Sequence, residues 1–280
     1  MPSINVNGKL CPNNSPVAEI SNRGLRYGDG VFETMKWSSG KLVFAEDHFA
    51  RLWNGLSILQ FDIPDLFTPD YLTEQIEKLV EHEDLSYARV RLSVIRGNGG
   101  LFDLTNNQPF FLIEATALEE QHPRTHSGAA VGIYHEARKM CDILSSIKHN
   151  NYLPYCLGAI FAKKNKLHDA LVLNQFGRIC DSTMANVFLM NNNTVVTPSL
   201  AEGCVAGIIR KNLIRVLPDL GYKVEETQIT DQMIRNAEAA FLTNSILNLK
   251  AVSSIDNKQL NLEPALLLKK LVEEKTDLFC

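Results

Sequence analysis

The chain has 280 residues and a formal net charge of -4, with 28 Lys and Arg against 32 Asp and Glu. Its 45% hydrophobic and 21% charged residues are typical of a soluble globular protein and exclude a disordered or collagen-like chain. The charges are nearly balanced and form no basic block, which argues against nucleic acid as a partner. No apolar run reaches the roughly 20 residues of a membrane span.

Cysteine usage and the first residues of the chain predict the compartment. None of the six cysteines forms a C-x-x-C pair, and no histidine spacing completes a zinc site, so we expect reduced thiols and no metal. The first eight residues lack the basic start and apolar stretch of a secretory signal. Together these features predict a cytoplasmic protein.

The first third of the sequence alternates short strands with amphipathic helices. Apolar residues recur on one helical stripe over Glu46–Leu59 and over Pro69–Glu83, so each range is predicted as a helix. Alternating apolar residues over Ala88–Arg96 predict a half-buried strand. Three more runs are predicted as short strands: Ile4–Val6, Lys41–Phe44 and Pro109–Thr116.

A polar stretch over 119–127 is the best candidate for a linker, because nothing in it can contribute to a core. We therefore expect a small N-terminal α/β lobe over 1–118 and a larger lobe over 128–280, in a mixed α+β fold. Strands of the larger lobe are predicted at Ala129–Ala137, Ala170–Leu173, Asn186–Met190 and Thr194–Thr197. Its helices are predicted at Tyr152–Lys166, Ile208–Leu217 and Pro264–Lys275.

One lysine, Lys148, lies between an apolar residue and a run of small polar residues, just before a predicted helix. A lysine becomes nucleophilic when partial burial or a positive neighbour lowers its pKa. It then forms Schiff bases with carbonyls, including the aldehyde of pyridoxal 5'-phosphate (PLP). On a surface, Lys148 would be an ordinary solvated side chain, and the residues alone leave both interpretations open.

Two further segments fit a site of this kind. Asp181 lies in a loop of small residues between strands, where a carboxylate would keep the ring nitrogen of PLP protonated, or would simply cap a turn. The loop over 203–207 runs into a helix whose first amides, on Ile208 and Ile209, could hold a phosphate at the positive helix end. A plain helix start is the alternative interpretation of that loop.

Five segments, in order along the chain, resemble the signatures of class IV aminotransferases, the fold-type IV PLP enzymes. They span most of the sequence: Arg23–Thr34, His48–Leu52, Lys148–Tyr152, Asp181–Phe188 and Phe241–Ser245. This family includes branched-chain aminotransferases, D-amino acid aminotransferases and 4-amino-4-deoxychorismate lyases. The resemblance implies a small α/β lobe, a larger lobe with a barrel-like sheet, PLP between them, and a homodimer.

The resemblance also implies roles for individual residues. Lys148 would carry the cofactor covalently and move the proton between the substrate α-carbon and the cofactor. The other cofactor contacts would be Arg51 on the phosphate, Asp181 on the ring nitrogen, Tyr152 on the phenolic oxygen, and Ile208, Ile209, Asn244 and Ser245 around the phosphate. Four residues would lie toward the substrate: Tyr27, Phe32, Glu33 and Arg91.

The sequence departs from the family pattern in three places. Asp181 stands where the family usually has the longer glutamate, so the ring could shift or a water could intervene. Ile209 replaces the usual threonine of the phosphate loop, which leaves only its backbone amide as a donor. The loop over 97–102 has no arginine for a substrate carboxylate, which weakens a D-amino acid activity.

We predict amino transfer between an amino acid of the branched-chain type and a 2-keto acid. The alternative is a lyase that releases pyruvate and 4-aminobenzoate from 4-amino-4-deoxychorismate. Thr243, Asn244 and Ser245 look more like the lyase group, whereas Tyr152 matches the branched-chain enzymes. A protein that binds PLP or substrate without turnover, or serves only as a structural dimer, is the third hypothesis.

Overall fold

A computed structural model describes residues 2–102, 107–119, 127–276 and 278. The chain divides into two compact units. The first unit comprises Met1–Gln121 together with Ile147–Asn151, and the second comprises His122–Ser146 and Tyr152–Cys280. Residues 120–126 of the predicted linker lie outside the described residues.

Among its described residues, the first unit contains a six-stranded sheet and three helices. Its strands are β1 (Ser3–Val6), β2 (Lys9–Pro12), β3 (Gly30–Ser38), β4 (Lys41–Leu42), β5 (Tyr87–Arg96) and β6 (Pro109–Ala117). Its helices are α1 (Arg23–Tyr27), α2 (Ala45–Ile58) and α3 (Pro69–His82). The strands are ordered β2-β1-β6-β5-β3-β4, and each neighbouring pair is antiparallel.

The core of the first unit lies between one face of this sheet and the helices α2 and α3. Both helices turn an apolar stripe inward, as their periodicity predicts. Thr68 caps α3 by accepting a hydrogen bond from the amide of Tyr71 at 3.1 Å, and Pro69 is its first residue. The fully buried side chains include Met35, Leu52, Leu56, Leu72, Ile76, Leu79, Leu92 and Ile113.

The strand β3, second from one edge of the sheet, is one that the sequence pattern does not predict. Both of its faces are buried, and two of its buried residues, Glu33 and Lys36, are charged. Such charges interrupt the apolar alternation by which a strand is recognised. The predicted strand over Lys41–Phe44 is shorter in the structure, since Phe44 has a φ of 56° and is the N-cap residue of α2.

The segment Ile147–Asn151 pairs with β3 of the first unit. The amide of Phe32 donates to the carbonyl of Lys148 at 2.8 Å, and the amide of Asn150 donates to the carbonyl of Gly30 at 2.9 Å. An isolated bridge joins Val31 and His149. These backbone bonds place Lys148 in the first unit, whereas the domain boundaries predicted from sequence assign it to the lobe over 128–280.

In the ranges that the structure describes, the second unit contains a nine-stranded sheet and four α-helices. Its strands are β7 (Ala129–Lys139), β8 (Asp169–Asn174), β9 (Ile179–Ser182), β10 (Asn186–Asn191), β11 (Thr194–Pro198), β12 (Lys223–Thr227), β13 (Ala239–Asn244), β14 (Asn248–Ile255) and β15 (Lys258–Gln259). Its helices are α4 (Leu153–Lys164), α5 (Ile208–Val216), α6 (Asp231–Asn236) and α7 (Glu263–Lys275). Short 3-10 turns occur at Leu200–Glu202 and Pro218–Leu220.

This sheet curls toward closure, which confirms the expected barrel-like architecture. The strands are ordered β12-β11-β10-β13-β14-β7-β8-β9, with β15 attached to β14. A bridge between Ile179 in β9 and Ile229, just after β12, brings the two ends of the sheet together. The curled sheet encloses buried residues that include Val131, Leu171, Val187, Leu189, Leu242 and Val252.

The helices predicted in the larger lobe all form. Helix α4 is shorter than predicted by one residue at its start and two at its end, and α5 and α7 lie within one residue of their predicted limits. No helix in the described ranges combines the length and apolar character needed to cross a membrane.

Candidate active site

The backbone of Lys148 is hydrogen-bonded to β3, and its ammonium group lies over an aromatic ring. Its carbonyl accepts the amide of Phe32, and its Nζ lies 4.4 Å from the centre of the Phe32 ring. The guanidinium of Arg91 lies 3.9 Å from the same ring centre. Both cations therefore gain a cation–π contact with Phe32. One face of β3 thus brings together three residues that the sequence assigns to chemistry.

The register of β3 against β5 explains this grouping. Phe32 lies opposite Ser93, and Thr34 lies opposite Arg91, so Phe32 and Arg91 are diagonal neighbours on one sheet face. Nε of Arg91 also lies 3.9 Å from a carboxylate oxygen of Glu114 on β6. Arg91 is therefore oriented by an aromatic face on one strand and a carboxylate on another.

Glu33, which the resemblance places toward the substrate, points away from the face that carries Phe32 and Arg91. Successive side chains of a strand lie on opposite faces, so Glu33 cannot share the face of Phe32. Its carboxylate instead accepts two bonds from Arg51, from Nε at 2.8 Å and from Nη2 at 2.5 Å. Nδ1 of His48 lies 2.7 Å from the same carboxylate. His48 and Arg51 are three residues apart on α2, so they share a helix face.

Burial and the neighbouring charges shift the pKa values of Glu33 and His48. Burial raises the pKa of Glu33, but the charge and hydrogen bonds of Arg51, with those of His48, lower it overall to about 2. Burial lowers the pKa of His48 below its usual value; the Glu33 hydrogen bond and charge oppose this, and the charges of Arg51 and Lys148 add to it. Among the described residues, Nε2 of His48 is buried without a hydrogen-bond partner.

Replacing Glu33 with glutamine should remove a pH-dependent contribution to stability. A carboxyl whose pKa falls on folding stabilises the protein above its unfolded pKa, and that contribution disappears as pH falls through the folded value. For a folded pKa of about 2 against an ordinary 4.5, the contribution is about 3 kcal/mol at neutral pH. Denaturant unfolding from pH 7 to pH 3 should show the Glu33→Gln deficit shrinking with acidity. Glu74→Gln, which removes an exposed carboxylate of α3, is the control, and an equal deficit at every pH would contradict this assignment.

In the second unit, Asp181 is the centre of a buried polar cluster. Its Oδ2 accepts from Nζ of Lys139 at 3.2 Å, from the hydroxyl of Tyr155 at 2.8 Å and from the amide of Val205 at 3.0 Å. Its Oδ1 accepts from Nδ2 of Asn186 at 2.9 Å. Burial raises the pKa of Asp181, whereas the Lys139 charge, the Tyr155 hydroxyl and the Val205 amide oppose that rise. Asp181 is therefore more than a turn residue.

The start of α5 has no side-chain cap. Gly207 is the N-cap residue, and no side chain caps the first amides of the helix. A Cβ at Gly207 would lie 1.8 Å from Oδ1 of Asn186, so only glycine fits there. The side chains of Ile208 and Ile209 are buried in the core, so their contribution to a phosphate site is confined to their amides.

The remaining predicted residues lie at element ends. Tyr152 is the N-cap residue of α4, and its ring stacks on Tyr155 with centroids 4.3 Å apart. Tyr27 ends α1, where the guanidinium of Arg23 lies 5.6 Å from its ring centre. Asn244 accepts the amides of Ile246 and Leu247 and so shapes the turn after β13. Ser245 lies half-buried in that turn.

Sequence reasoning missed two members of the Asp181 cluster, Lys139 and Tyr155. Lys139 ends β7 and is 42 residues from Asp181, so no local pattern connects the two. Tyr155 follows Tyr152 by three residues, a helical spacing that indicates neighbouring side chains. That spacing was the one available signal for Tyr155.

The chain is similar to two known proteins over most of its length. A Methanocaldococcus jannaschii protein, whose proposed activity is branched-chain aminotransfer, is 26% identical over 276 residues, 97% of this chain and 94% of that protein. An aminodeoxychorismate lyase of Vibrio harveyi is 27% identical over 247 residues, 84% of this chain and 86% of the lyase.

The fold also matches solved structures. The branched-chain aminotransferase of the thermophilic archaeon Thermoproteus uzoniensis, solved with norvaline, has a TM-score of 0.86, at 21% identity over 99% of this chain and 97% of that one. The family model for amino-transferase class IV matches residues 30–255, well over half of the chain. The chain therefore belongs to the class IV aminotransferases, a family of enzymes.

Proposed function

We propose that the protein is a PLP-dependent aminotransferase that moves an amino group between an amino acid of the branched-chain class and a 2-keto acid. The observation that carries this proposal is the placement of Lys148, fixed by its backbone against β3 with its Nζ over the Phe32 ring. This placement holds the ε-amino group at a defined position, as a lysine that carries a cofactor and moves a proton requires.

Each unit contains residues whose chemistry fits PLP. Asp181 supplies a buried carboxylate for the ring nitrogen, and the uncapped start of α5 with Gly207 supplies amides for the phosphate. Arg51 supplies a guanidinium whose orientation Glu33 fixes on one edge. When bound, PLP supplies an electron sink that stabilises negative charge at the substrate α-carbon.

Each of the remaining residues has a separate role in the proposed amino transfer. Lys148 removes and returns the proton at the substrate α-carbon as a general base and acid. Tyr152, at the start of α4, would donate a hydrogen bond to the phenolic oxygen of the cofactor. Arg91 binds a carboxylate of the substrate, and Phe32 packs against its apolar portion.

A turnover assay tests this proposal. PLP-loaded protein is given L-leucine, L-valine, L-isoleucine, L-glutamate or D-alanine with a keto acid acceptor, and the new amino acid is quantified. We expect turnover with the branched-chain L-amino acids and at least tenfold less with D-alanine, since the loop over 97–102 lacks an arginine for its carboxylate. Protein that binds PLP but converts none of these donors would refute the proposal.

The lyase alternative has its own support. The Vibrio harveyi lyase matches 84% of this chain, and Asn244 and Ser245 form the turn that resembles the lyase group. Release of pyruvate from 4-amino-4-deoxychorismate, without any keto acid acceptor, would identify the lyase. We favour amino transfer because the M. jannaschii relative covers more of the chain, at 97%.

A homodimer and a cytoplasmic location complete the proposal. Helix α4 exposes apolar side chains on one stripe, namely Leu153 (74% exposed), Leu157 (43%) and Ile160 (51%). A contiguous exposed apolar stripe favours contact with another protein surface. The buried thiols of Cys180 and Cys204 are free, which suits a reducing compartment.

Charges on that stripe should separate the dimer. We expect Leu157→Asp combined with Ile160→Asp to shift the mass measured by light scattering from dimer to monomer, because two carboxylates cannot be buried unpaired. Lys163→Asp, on a polar position of the same helix, is the control and should leave the dimer intact. A stripe variant that keeps the mass of the dimer would remove α4 from the interface.

A further inference from the structure

The hydrogen bonds of Asp181 are unevenly divided between its two oxygens. Oδ2 accepts from Lys139, Tyr155 and Val205. Within the described residues, Oδ1 accepts only from Asn186. An ionised carboxylate offers about four lone-pair sites, two on each oxygen. Oδ2 is therefore saturated, and Oδ1 is the oxygen that can accept one more donor.

Tyr155 is locked in place on the Oδ2 side. It lies in the first turn of α4 with 4% of its surface exposed, and its ring stacks on Tyr152 at an interplanar angle of 27°. Nζ of Lys139 lies 5.2 Å from the centre of the Tyr155 ring. Burial, and then the charge of Asp181, raise the pKa of Tyr155 well above its usual value of 10.0, so its hydroxyl remains a donor.

Besides Lys139 and Tyr155, two thiols lie near Asp181, and both stay uncharged. Cys180 lies beside it on β9, and Cys204 lies in the loop before α5. Burial raises the pKa of Cys180 well above 9.0 and raises that of Cys204 to about 12. In the part of the chain that the structure describes, Lys139 from β7 is the one cation bonded to Asp181. Lys139 and Tyr155 thus control the charge and orientation of this carboxylate.

We propose that Tyr155 is a positioning residue for the reaction: with Lys139, it holds Asp181 ionised and rotated so that Oδ1 is offered to the ring nitrogen of PLP. The inference rests on the proposed function, because it requires PLP. It also accounts for the shorter acid at this position. Aspartate carries its carboxylate one methylene nearer the backbone than glutamate, and Tyr155 and Lys139 fill the space on the Oδ2 side.

The test compares pH profiles of kcat and KM for PLP-loaded wild type and Tyr155→Phe. The Tyr155 hydrogen bond lowers the pKa of Asp181, so its loss raises that pKa and moves the acid limb of kcat to higher pH. We expect kcat at neutral pH to fall about tenfold, the effect of losing one hydrogen bond to a charged group. KM for the amino donor should stay within about twofold, since the substrate is not contacted.

Tyr134→Phe is the matched control. Tyr134 is another buried tyrosine of the second unit, and its ring lies 5.6 Å from that of Phe161. Its variant should keep the wild-type profile. A Tyr155→Phe enzyme that is folded and loaded, with unchanged kcat and an unchanged acid limb, would overturn the proposal.

A second variant and a spectroscopic measurement test the same proposal if Tyr155→Phe does not fold or its activity is ambiguous. If Tyr155→Phe does not fold, Lys139→Gln tests the same statement: it should move the acid limb in the same direction, and an unmoved limb would refute it. The nitrogen-15 chemical shift of ring-labelled PLP should show less ring protonation in either variant than in wild type. Wild-type protein that takes up no PLP would overturn the proposed function as well, whereas loaded variants with wild-type shifts overturn only this inference.

Discussion

Lys148→Ala should abolish turnover while leaving the protein folded. The ε-amino group is the only part of Lys148 that the proposed chemistry uses, and its backbone bonds to β3 remain in the variant. Loss of a general base alone lowers rates by about 10²–10⁴-fold, and loss of covalent cofactor attachment adds to that. We expect at least a ~10³-fold fall in kcat and a change in unfolding free energy within about 1 kcal/mol.

The control for Lys148 is an exposed lysine. Lys163→Ala removes a charge from the last turn of α4 and should leave turnover unchanged. Steady-state assays measure kcat, and denaturant unfolding measures stability, for wild type, Lys148→Ala and Lys163→Ala. Near-native turnover in the Lys148→Ala variant would show that another residue does the work of the base.

Asp181→Asn has the second largest expected effect, and it reduces both stability and rate. The variant keeps the shape of the side chain but leaves Lys139 buried without a counter-charge. Breaking a buried pair by removing one partner costs about 3–5 kcal/mol. We also expect kcat to fall by about 10²-fold or more, because the charge facing the ring nitrogen is lost.

Asp181→Glu separates the role of the charge from the role of size. Glutamate restores the carboxylate but adds a methylene to a packed cluster, at a cost of about 1–3 kcal/mol. Turnover should therefore rank wild type, then Asp181→Glu, then Asp181→Asn, each measured on folded, PLP-loaded protein. An Asp181→Asn variant with wild-type kcat would remove this residue from the mechanism.

Local patterns predicted the amphipathic elements of the fold, and tertiary context determined the others. Helices α2 and α3 and strand β5 show a clear apolar period, so their existence followed from sequence. Strand β3 did not, because Glu33 is buried by pairing with Arg51 on another element. Long-range pairing also explains why Ile147–Asn151 belongs to the first unit. The backbone of this segment forms hydrogen bonds with residues more than 100 positions earlier in the chain.

The candidate site was predictable where the family signatures are local and not where contacts join distant elements. The structure brings Lys148 and Arg91 together on the ring of Phe32, three residues that the family resemblance names. It turns Glu33 to the opposite face, because neighbouring residues of a strand cannot share one. Lys139 has no motif of its own, and only the fold brings it to Asp181.

Reductive trapping of the cofactor tests the central claim most directly. Purified protein is incubated with PLP, its visible absorbance is recorded, and the sample is treated with borohydride, digested and mapped by mass spectrometry. The proposed function predicts a visible band that borohydride removes, and a phosphopyridoxyl group on the peptide that carries Lys148. A modification confined to another lysine, such as Lys139, or no stable modification at all, would contradict it.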